Sequence, residues 1–309
     1  MKNLNTFLKD IYCEDIIFHY TKTATAIDYI LFNNRLKLTH IKASTDPIEK
    51  FPRYGIYSSW YGDKTNSDEM HKQHSEQINK MLENVETRIK DYVQVCFCKN
   101  KLQTANFWNF SIQYEDFGFA KPRMWEQYGD NYTGVCIAFS KKKIIEKNNN
   151  LELIKKGNSD VEYLTYYELS LKTNDVSVNS FNEIGSEDYE KKMIDRIENE
   201  LFWKHKDYID ENEYKICTLF KKEQSCLNMY KNQLDHYMGL NIENSIKAIF
   251  VSSYANENQK KTLDKYSKEF DIPLIEIKWK NNGIETYYYD RFQELIESIE
   301  KKVIKKSTN

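Results

Sequence analysis

The chain has 309 residues, 40% of them hydrophobic, which suffices for the core of one large domain or two small ones. Its 45 basic residues nearly balance 47 acidic ones, which excludes a protein-wide field that attracts nucleic acid or an anionic membrane. No apolar stretch approaches the roughly 18 residues of a membrane span, and no apolar leader opens the sequence. The six cysteines include no CxxC pair. These features predict a cytoplasmic protein with reduced thiols, no membrane partner and no recognisable metal site.

The first part of the chain predicts a strand, a helix and a second strand. Apolar and aromatic residues at 16–20 favour a strand, and His19 lies within it. Apolar residues recur at helical spacing over 23–34, and residues 35–39 alternate as a second strand does. The Ser-Thr-Asp-Pro cluster at 44–47 is typical of a turn.

The rest of the chain predicts further helices and strands without an internal repeat or a clear linker. Predicted helices cover 66–91, 122–128, 187–206 and 256–270, and predicted strands cover 92–97, 134–139, 211–218, 245–251 and 272–279. The simplest division is one domain over 1–309, with helical insertions at about 66–91 and 186–206.

Two glutamates form the first candidate site. Glu211 and Glu213 are two residues apart on a predicted strand, so their carboxylates share one face of it. Like charges at that spacing repel unless one is protonated, paired or used on a ligand. The alternative is an exposed sheet face on which Lys215 neutralises them.

Two further candidates have ordinary structural interpretations. A single histidine on a strand, such as His19, is more often a structural residue than a functional one. The stripe of Met124, Trp125 and Tyr128 at helical spacing is typical of core packing. The sequence contains no GxGxxG, GxxxxGK or nucleophile-elbow motif, so a Rossmann, P-loop or serine-hydrolase interpretation has no support.

The order of several short motifs resembles a bacterial family known as domain of unknown function 2971. The matching residues are His19-Tyr20-Thr21, Leu36-x-Leu38, Thr45-Asp46-Pro47-x-Glu49, Val95-Cys96-Phe97, Met124-Trp125-x-x-Tyr128, Gly134-Val135-Cys136-Ile137 and Glu211-x-Glu213-Tyr214. They extend from residue 16 to about 279. The chain has Thr45 where the family usually has Asn, and Lys215 where it usually has Arg.

The same order resembles the ADP-ribosyltransferase fold of the diphtheria-toxin and poly(ADP-ribose) polymerase type, including the DarT toxins. Those enzymes place a His on the first strand, an aromatic residue on a middle strand or the following helix, and a Glu on a late strand. The resemblance implies an α+β fold with a split, mostly antiparallel sheet core and helical insertions. The chain departs from that pattern at 96–98, where Cys-Phe-Cys stands in place of the expected Tyr, and in the long spacing between Tyr128 and Glu213.

The resemblance also implies a site for NAD, used as a substrate. By this resemblance, His19 binds the adenosine ribose, and Tyr20 or Thr21 positions the nicotinamide side. One of Phe97, Trp125 and Tyr128 stacks on nicotinamide. Glu213 binds the nicotinamide ribose, and Glu211 orients an acceptor nucleophile. A fixed carboxylate suits this chemistry because positive charge develops on the ribose only in the transition state.

The implied activity is that of an NAD-consuming ADP-ribosyltransferase with a protein or nucleic acid acceptor, or of an NAD glycohydrolase. Such enzymes suggest a toxin or an anti-phage effector, with an antitoxin or a phage trigger as its partner.

Two alternatives stay open. One is an inactive binding module that senses a nucleotide or a phage component. The other is a single-strand nucleic-acid-binding or processing protein, suggested by 23 tyrosines and lysine-rich segments at 141–143 and 301–306, although the near-neutral charge opposes it.

Overall fold

The computed structural model describes residues 3–44, 68–102, 113–155, 159–173, 185–230 and 233–289. Most of the predicted turn at 44–47, the Thr45-Asp46-Pro47-x-Glu49 match and the lysine-rich segment 301–306 lie outside these residues.

The described residues form both helices and strands. The helices are α1 (Leu4–Ile11), α2 (Thr23–Thr25, continued by a π-helical segment Ala26–Leu31), α3 (Asp68–Asp91), α4 (Pro122–Gln127), α5 (Lys141–Lys147), α6 (Tyr166–Thr173), α7 (Ser186–Glu200) and α8 (Glu257–Glu269). The strands are β1 (Ile16–Thr21), β2 (Arg35–Lys37), β3 (Thr39–His40), β4 (Tyr92–Lys99), β5 (Val135–Ser140), β6 (Glu162–Leu164), β7 (Trp203–His205), β8 (Glu213–Leu219), β9 (Cys226–Tyr230), β10 (Gln233–Tyr237), β11 (Gly239–Asn241), β12 (Ile246–Ser252), β13 (Leu274–Lys280) and β14 (Gly283–Tyr288).

One eight-stranded sheet organises the fold. Its order is β14-β13-β12-β5-β1-β4-β3, and β8 pairs with β4 as a further neighbour. Within this sheet only β12 and β13 run parallel, and every other neighbouring pair is antiparallel. The prediction of an α+β protein with a mostly antiparallel sheet is therefore confirmed.

The sheet divides between β1 and β4. Six residues of β1 pair with β5, but only Ile17 and Phe18 pair with β4. On the same edge of β4, pairing resumes only at Val93 and Gln94, which contact β3. Between these two contacts, no strand of the described residues pairs with that edge of β4, and this gap between strands is where the site described below lies.

Two large cores cover the two faces of the sheet, because neighbouring residues of a strand point to opposite faces. Ile17, Phe97 and Ile137 belong to one core, which α2 and α8 also enter. Phe18 and Cys136 belong to the other, which is shared with α1 and α4.

The two predicted helical insertions form a third core together. Met81, Val85 and Ile89 of α3 pack with apolar residues of α7 and with Tyr92 at the start of β4. Arg88 Nη2 and Glu198 Oε1 join the two helices at 3.0 Å. The insertions thus make one layer at the β4–β8 end of the sheet.

Two predicted elements differ from the structure. The helix predicted over 187–206 ends at Glu200, and Trp203–His205 form the short strand β7 instead. The strand predicted from 211 begins only at Glu213, because Glu211 ends a 3₁₀ helix, Lys206–Glu211. Within the part of the chain that the structure describes, no helix has the length and apolarity needed to cross a membrane.

Candidate functional site

A cavity of about 760 Å³ lies at the gap between β1 and β4. Seven of the eight predicted site residues line it: His19, Tyr20, Thr21, Phe97, Tyr128, Glu211 and Glu213. They come from β1, β4, the end of α4, the 3₁₀ helix and β8, so residues almost 200 positions apart in sequence meet here. Its volume falls within the roughly 300–1,000 Å³ of small-molecule and cofactor sites.

His19 and Glu213 reach the cavity from opposite faces of the sheet. Glu213 pairs with Cys98, and Cys98 pairs with Phe18, so these three side chains share one face. His19 follows Phe18 and points to the other face, where its ring contacts Phe97 edge-on at 5.8 Å. Phe18 and Glu213 are two strand spacings apart, about 10 Å. His19 and Glu213 nevertheless line one cavity, because β1 and β4 separate beyond Phe18.

The His19 side chain occupies the place where strand pairing stops. Its Nδ1 lies 3.0 Å from the carbonyl oxygen of Cys96 of β4. A carbonyl only accepts, so Nδ1 carries the proton and Nε2 of the neutral ring is an acceptor. Burial lowers the pKa of His19, and the Cys96 hydrogen bond opposes that shift. The ring is therefore neutral near pH 7, with one acceptor nitrogen.

The three candidate aromatic residues have different surroundings. Trp125 is fully buried in the core below the cavity, and its Nε1 donates to the Phe119 carbonyl at 2.7 Å. It does not line the cavity, so the prediction that it stacks on a ligand is not supported by its position. Tyr128 ends α4 and is 40% exposed on the cavity wall. Phe97 also lines the wall, although it is almost fully buried.

The β1 candidates contribute to the wall in a more limited way. The Tyr20 hydroxyl donates to the Gly118 carbonyl at 2.6 Å, so this group is engaged in the core. The Thr21 carbonyl oxygen lies close to Gly134: a Cβ atom at position 134 would be only 2.4 Å from it. Gly134 thus lets the loop after α4 approach the end of β1.

A buried lysine joins the two glutamates. Lys204 Nζ lies 2.6 Å from Glu211 Oε2 and 3.1 Å from Glu213 Oε2. The side chains of Lys204, Glu211 and Glu213 are only 4%, 2% and 5% exposed. The exposed-face interpretation is therefore wrong, and so is the choice of neutraliser, because the Lys215 amine donates to the Leu201 carbonyl instead.

Local structure explains how residues two apart reach one amine without sharing a strand. Asn212 adopts a left-handed conformation with φ 44°, which asparagine tolerates better than most residues. Its side chain donates to the carbonyl of Asn100 at 2.9 Å and so ties the end of the 3₁₀ helix to β4. The Glu213 amide donates to the Tyr163 hydroxyl at 2.8 Å. Asn212 and Tyr163 therefore fix the backbone from which Glu213 projects.

The cluster is electrostatically incomplete. Burial raises the pKa of Glu211, and the Lys204 ammonium only partly offsets that effect. Glu211 Oε1 is buried and has no hydrogen-bond partner among the described residues. Burial, with the nearby carboxylates, also raises the pKa of Tyr128 and Tyr163 well above the ordinary value, so both phenols are neutral.

Sequence reasoning missed Lys204 because the segment that contains it was predicted to be helical. A signal was present: Trp203 and His205 flank Lys204 symmetrically, and period two is typical of a strand. Arg35 and Lys37 of β2 were also missed, and both line the cavity. The cavity thus has cationic side chains on β2 and a carboxylate pair beside β8. The described residues contain no group of three His, Cys, Asp or Glu side chains that could hold a metal ion.

Comparison with curated proteins gives no match, and comparison with solved structures gives none either. Residues 124–216, which include the Met-Trp-x-x-Tyr motif and both cavity glutamates, match the family described as Protein of unknown function (DUF2971). Over this segment, from α4 to β8, the match confirms the resemblance to the domain of unknown function 2971 that the motifs indicated.

Proposed function

We propose that the protein is an NAD-consuming ADP-ribosyltransferase or NAD glycohydrolase and that the cavity between β1 and β4 holds the dinucleotide. The observation that carries the proposal is the convergence of His19 and Glu213 on one cavity from strands far apart in sequence. These are the two residues that the ADP-ribosyltransferase resemblance requires together.

The charge distribution of the cavity suits NAD. The diphosphate of NAD is anionic, and Arg35 and Lys37 supply cationic donors on the β2 side. The nicotinamide ring is cationic and the ribose becomes so as the ring leaves, which favours the carboxylate side at Glu213. A ligand that is negative in the middle and positive at one end therefore matches the cavity.

Three of the predicted residues then have definite roles. The neutral His19 ring accepts a hydrogen bond at Nε2 from a ribose hydroxyl. Tyr128, which is partly exposed at the wall, offers its ring to nicotinamide. Glu213 accepts from the 2′-hydroxyl of the nicotinamide ribose and stabilises the oxocarbenium-like transition state.

The bond that breaks joins the ribose C1′ to the nicotinamide nitrogen, and its electron pair leaves with neutral nicotinamide. The bond that forms joins C1′ to an oxygen or nitrogen of an acceptor, or to water, which gives up a proton. We assign to Glu211 the role of accepting a hydrogen bond from that acceptor; the support for this role is that its Oε1 is buried and has no hydrogen-bond partner among the described residues.

The proposal is tested by nicotinamide release from NAD, with and without cell extract as a source of acceptor. Purified wild type, Glu213→Gln and Glu276→Gln are compared, since Glu276 is a buried glutamate on β13 that also pairs with a lysine. We expect release by the wild type and by Glu276→Gln, and its loss in Glu213→Gln. If folded wild type neither releases nicotinamide nor binds NAD, the proposal fails and the binding-module alternative gains support.

A further inference from the structure

We propose that Lys204 is a positioning residue, which joins Glu211 and Glu213 through one amine and fixes Glu213 at the cavity wall. The inference deepens the proposed function and rests on it for the role of Glu213 in catalysis. The arrangement itself does not depend on which ligand the cavity takes.

The geometry gives Lys204 a role that a simple ion pair does not have. The Lys204 amine, on β7, lies 2.6 Å from a carboxylate oxygen of Glu211 and 3.1 Å from one of Glu213. Lys204 is held in place because β7 pairs in parallel with β6, where Tyr163 is its direct partner. Tyr163 in turn accepts the Glu213 amide proton. A single unit of β6, β7 and the start of β8 therefore sets the position of the carboxylate.

The electrostatic need for Lys204 follows from burial. Two carboxylates that reach the same nitrogen are close to each other, and their mutual repulsion in a buried site favours uptake of a proton by one of them. An adjacent cation opposes that uptake. With Lys204 charged, the three groups carry a net charge of minus one, whereas without it the charge would be minus two in the same volume.

Other groups around the pair do not replace this cation. The titratable and charged side chains around it include Tyr163 of β6, Tyr128 and Arg123 of α4, Tyr208 of the 3₁₀ helix, and Cys96 and Cys98 of β4. Lys121 lies near Cys98, and His19, Arg35, Lys37 and His40 line the same cavity. Burial keeps the tyrosines at 128 and 163, and Cys98, uncharged. Arg123 donates to the Asp207 carbonyl and lies over the Tyr208 ring at 4.9 Å. Among the described residues, Lys204 is the cation within hydrogen-bond distance of both carboxylates.

The first test measures proton binding without NAD. Protein labelled with ¹³C at the glutamate carboxyl carbons is titrated by NMR as wild type, Lys204→Met, Lys204→Arg and Lys260→Met. The resonances of the pair are assigned by their absence in Glu211→Gln and Glu213→Gln. We expect the first protonation of the pair to move up by about 1–3 pH units in Lys204→Met. Lys204→Arg keeps the charge and should stay near the wild type, and so should Lys260→Met, whose lysine lies outside the cavity wall.

An unchanged midpoint in folded Lys204→Met would overturn the proposal. If Lys204→Met does not fold at neutral pH, the double variant Lys204→Met with Glu211→Gln decides. It leaves one buried carboxylate instead of two, so we expect it to fold where the single variant does not. Failure of the double variant to recover stability would contradict the role assigned to Lys204.

The second test concerns catalysis and separates this inference from the proposed function. If the wild type cleaves NAD, the acid limb of kcat in Lys204→Met should move up by about 1–3 pH units, and Lys204→Arg should restore it. A uniform loss of kcat at every pH would contradict positioning through charge. If the wild type does not cleave NAD, the proposed function fails, while the carboxyl titration still decides whether Lys204 keeps the pair ionised.

Discussion

Two buried lysines in this fold each bind two glutamates, but their surroundings differ. Lys260 of α8 donates to Glu257 at 2.8 Å, to Glu276 at 3.0 Å and to the Ser253 carbonyl at 3.2 Å. All three of its protons are thus used. One of its partners, Glu257, is 59% exposed and can be hydrated.

Around Lys204, by contrast, both carboxylates are buried, and the amine also lies 4.8 Å from the centre of the Tyr208 ring. One oxygen of Glu211 has no hydrogen-bond partner among the described residues. A buried polar atom without a partner destabilises the folded protein unless a ligand or water satisfies it. The two lysine–glutamate clusters therefore differ in one respect: only the Lys204 cluster, among the described residues, combines a buried carboxylate oxygen that has no partner with a position beside the cavity.

The largest expected effect is on stability. Removing one partner of a buried charge pair costs about 3–5 kcal/mol, because the other charge stays buried. We expect Lys204→Met to lie near the upper end of this range and Lys260→Met near the lower end, since Glu257 is hydrated. Urea unfolding at pH 7 measures both. Equal losses, or a larger loss for Lys260→Met, would remove the distinction between the two clusters.

The next effect is on catalysis and sharpens the same comparison. Loss of a charge that stabilises a transition state lowers kcat by about 100- to 1,000-fold. We expect this loss in Glu213→Gln. We expect a change below about twofold in Glu276→Gln, because Glu276 is not among the described residues that line the cavity. Steady-state nicotinamide release measures it. A similar loss in both variants would indicate that general destabilisation, not position in the cavity, governs the activity.

A smaller effect is expected at the aromatic wall. Tyr128→Ala should weaken NAD binding by about 10-fold through lost stacking. It should change the free energy of unfolding by less than about 1 kcal/mol, because Tyr128 is partly exposed. Tyr167→Ala is the matched control, since Tyr167 is an exposed tyrosine outside the cavity wall. Calorimetric titration would contradict the stacking role if both variants bound NAD as the wild type does.

The smallest effect is expected for Glu211→Gln. Because burial raises the folded-state pKa of Glu211, its ionisation opposes folding. This cost is absent below the unfolded-state pKa and complete above the folded-state pKa. Glu211→Gln should therefore be as stable as the wild type at acidic pH and at least as stable near pH 7, within about 1 kcal/mol. A clear loss of stability near pH 7 that disappears in acid would reverse the sign and contradict this account.

The sequence predicted much of the fold because periodicity reports local structure well. The strand at β1, the helix that begins at Pro122 and the helix near 257–269 all occur where their patterns indicate them. Hydrophobic periodicity could not predict that β1 pairs with β4 over only two residues, because pairing between segments distant in sequence does not change the local residue pattern. The gap that forms the cavity is a property of the whole sheet.

The candidate site shows the same division. His19 and Glu213, which line the cavity, were proposed from their neighbours in short motifs. Lys204 was missed because apolar residues at helical spacing continue through Leu201 and Phe202, whereas the chain turns there so that Phe202 enters the third core. The position of Trp125 could not be read from the motif either, because buried and exposed aromatic residues share one helical stripe.

A structure of Glu213→Gln with NAD tests most directly whether the gap between β1 and β4 holds the dinucleotide. This variant keeps the shape of the site and is expected to bind without cleaving. We predict density for the dinucleotide in the cavity, with a ribose hydroxyl at His19 Nε2 and nicotinamide between Tyr128 and residue 213. NAD bound elsewhere, or an empty cavity at saturating NAD, would contradict the account.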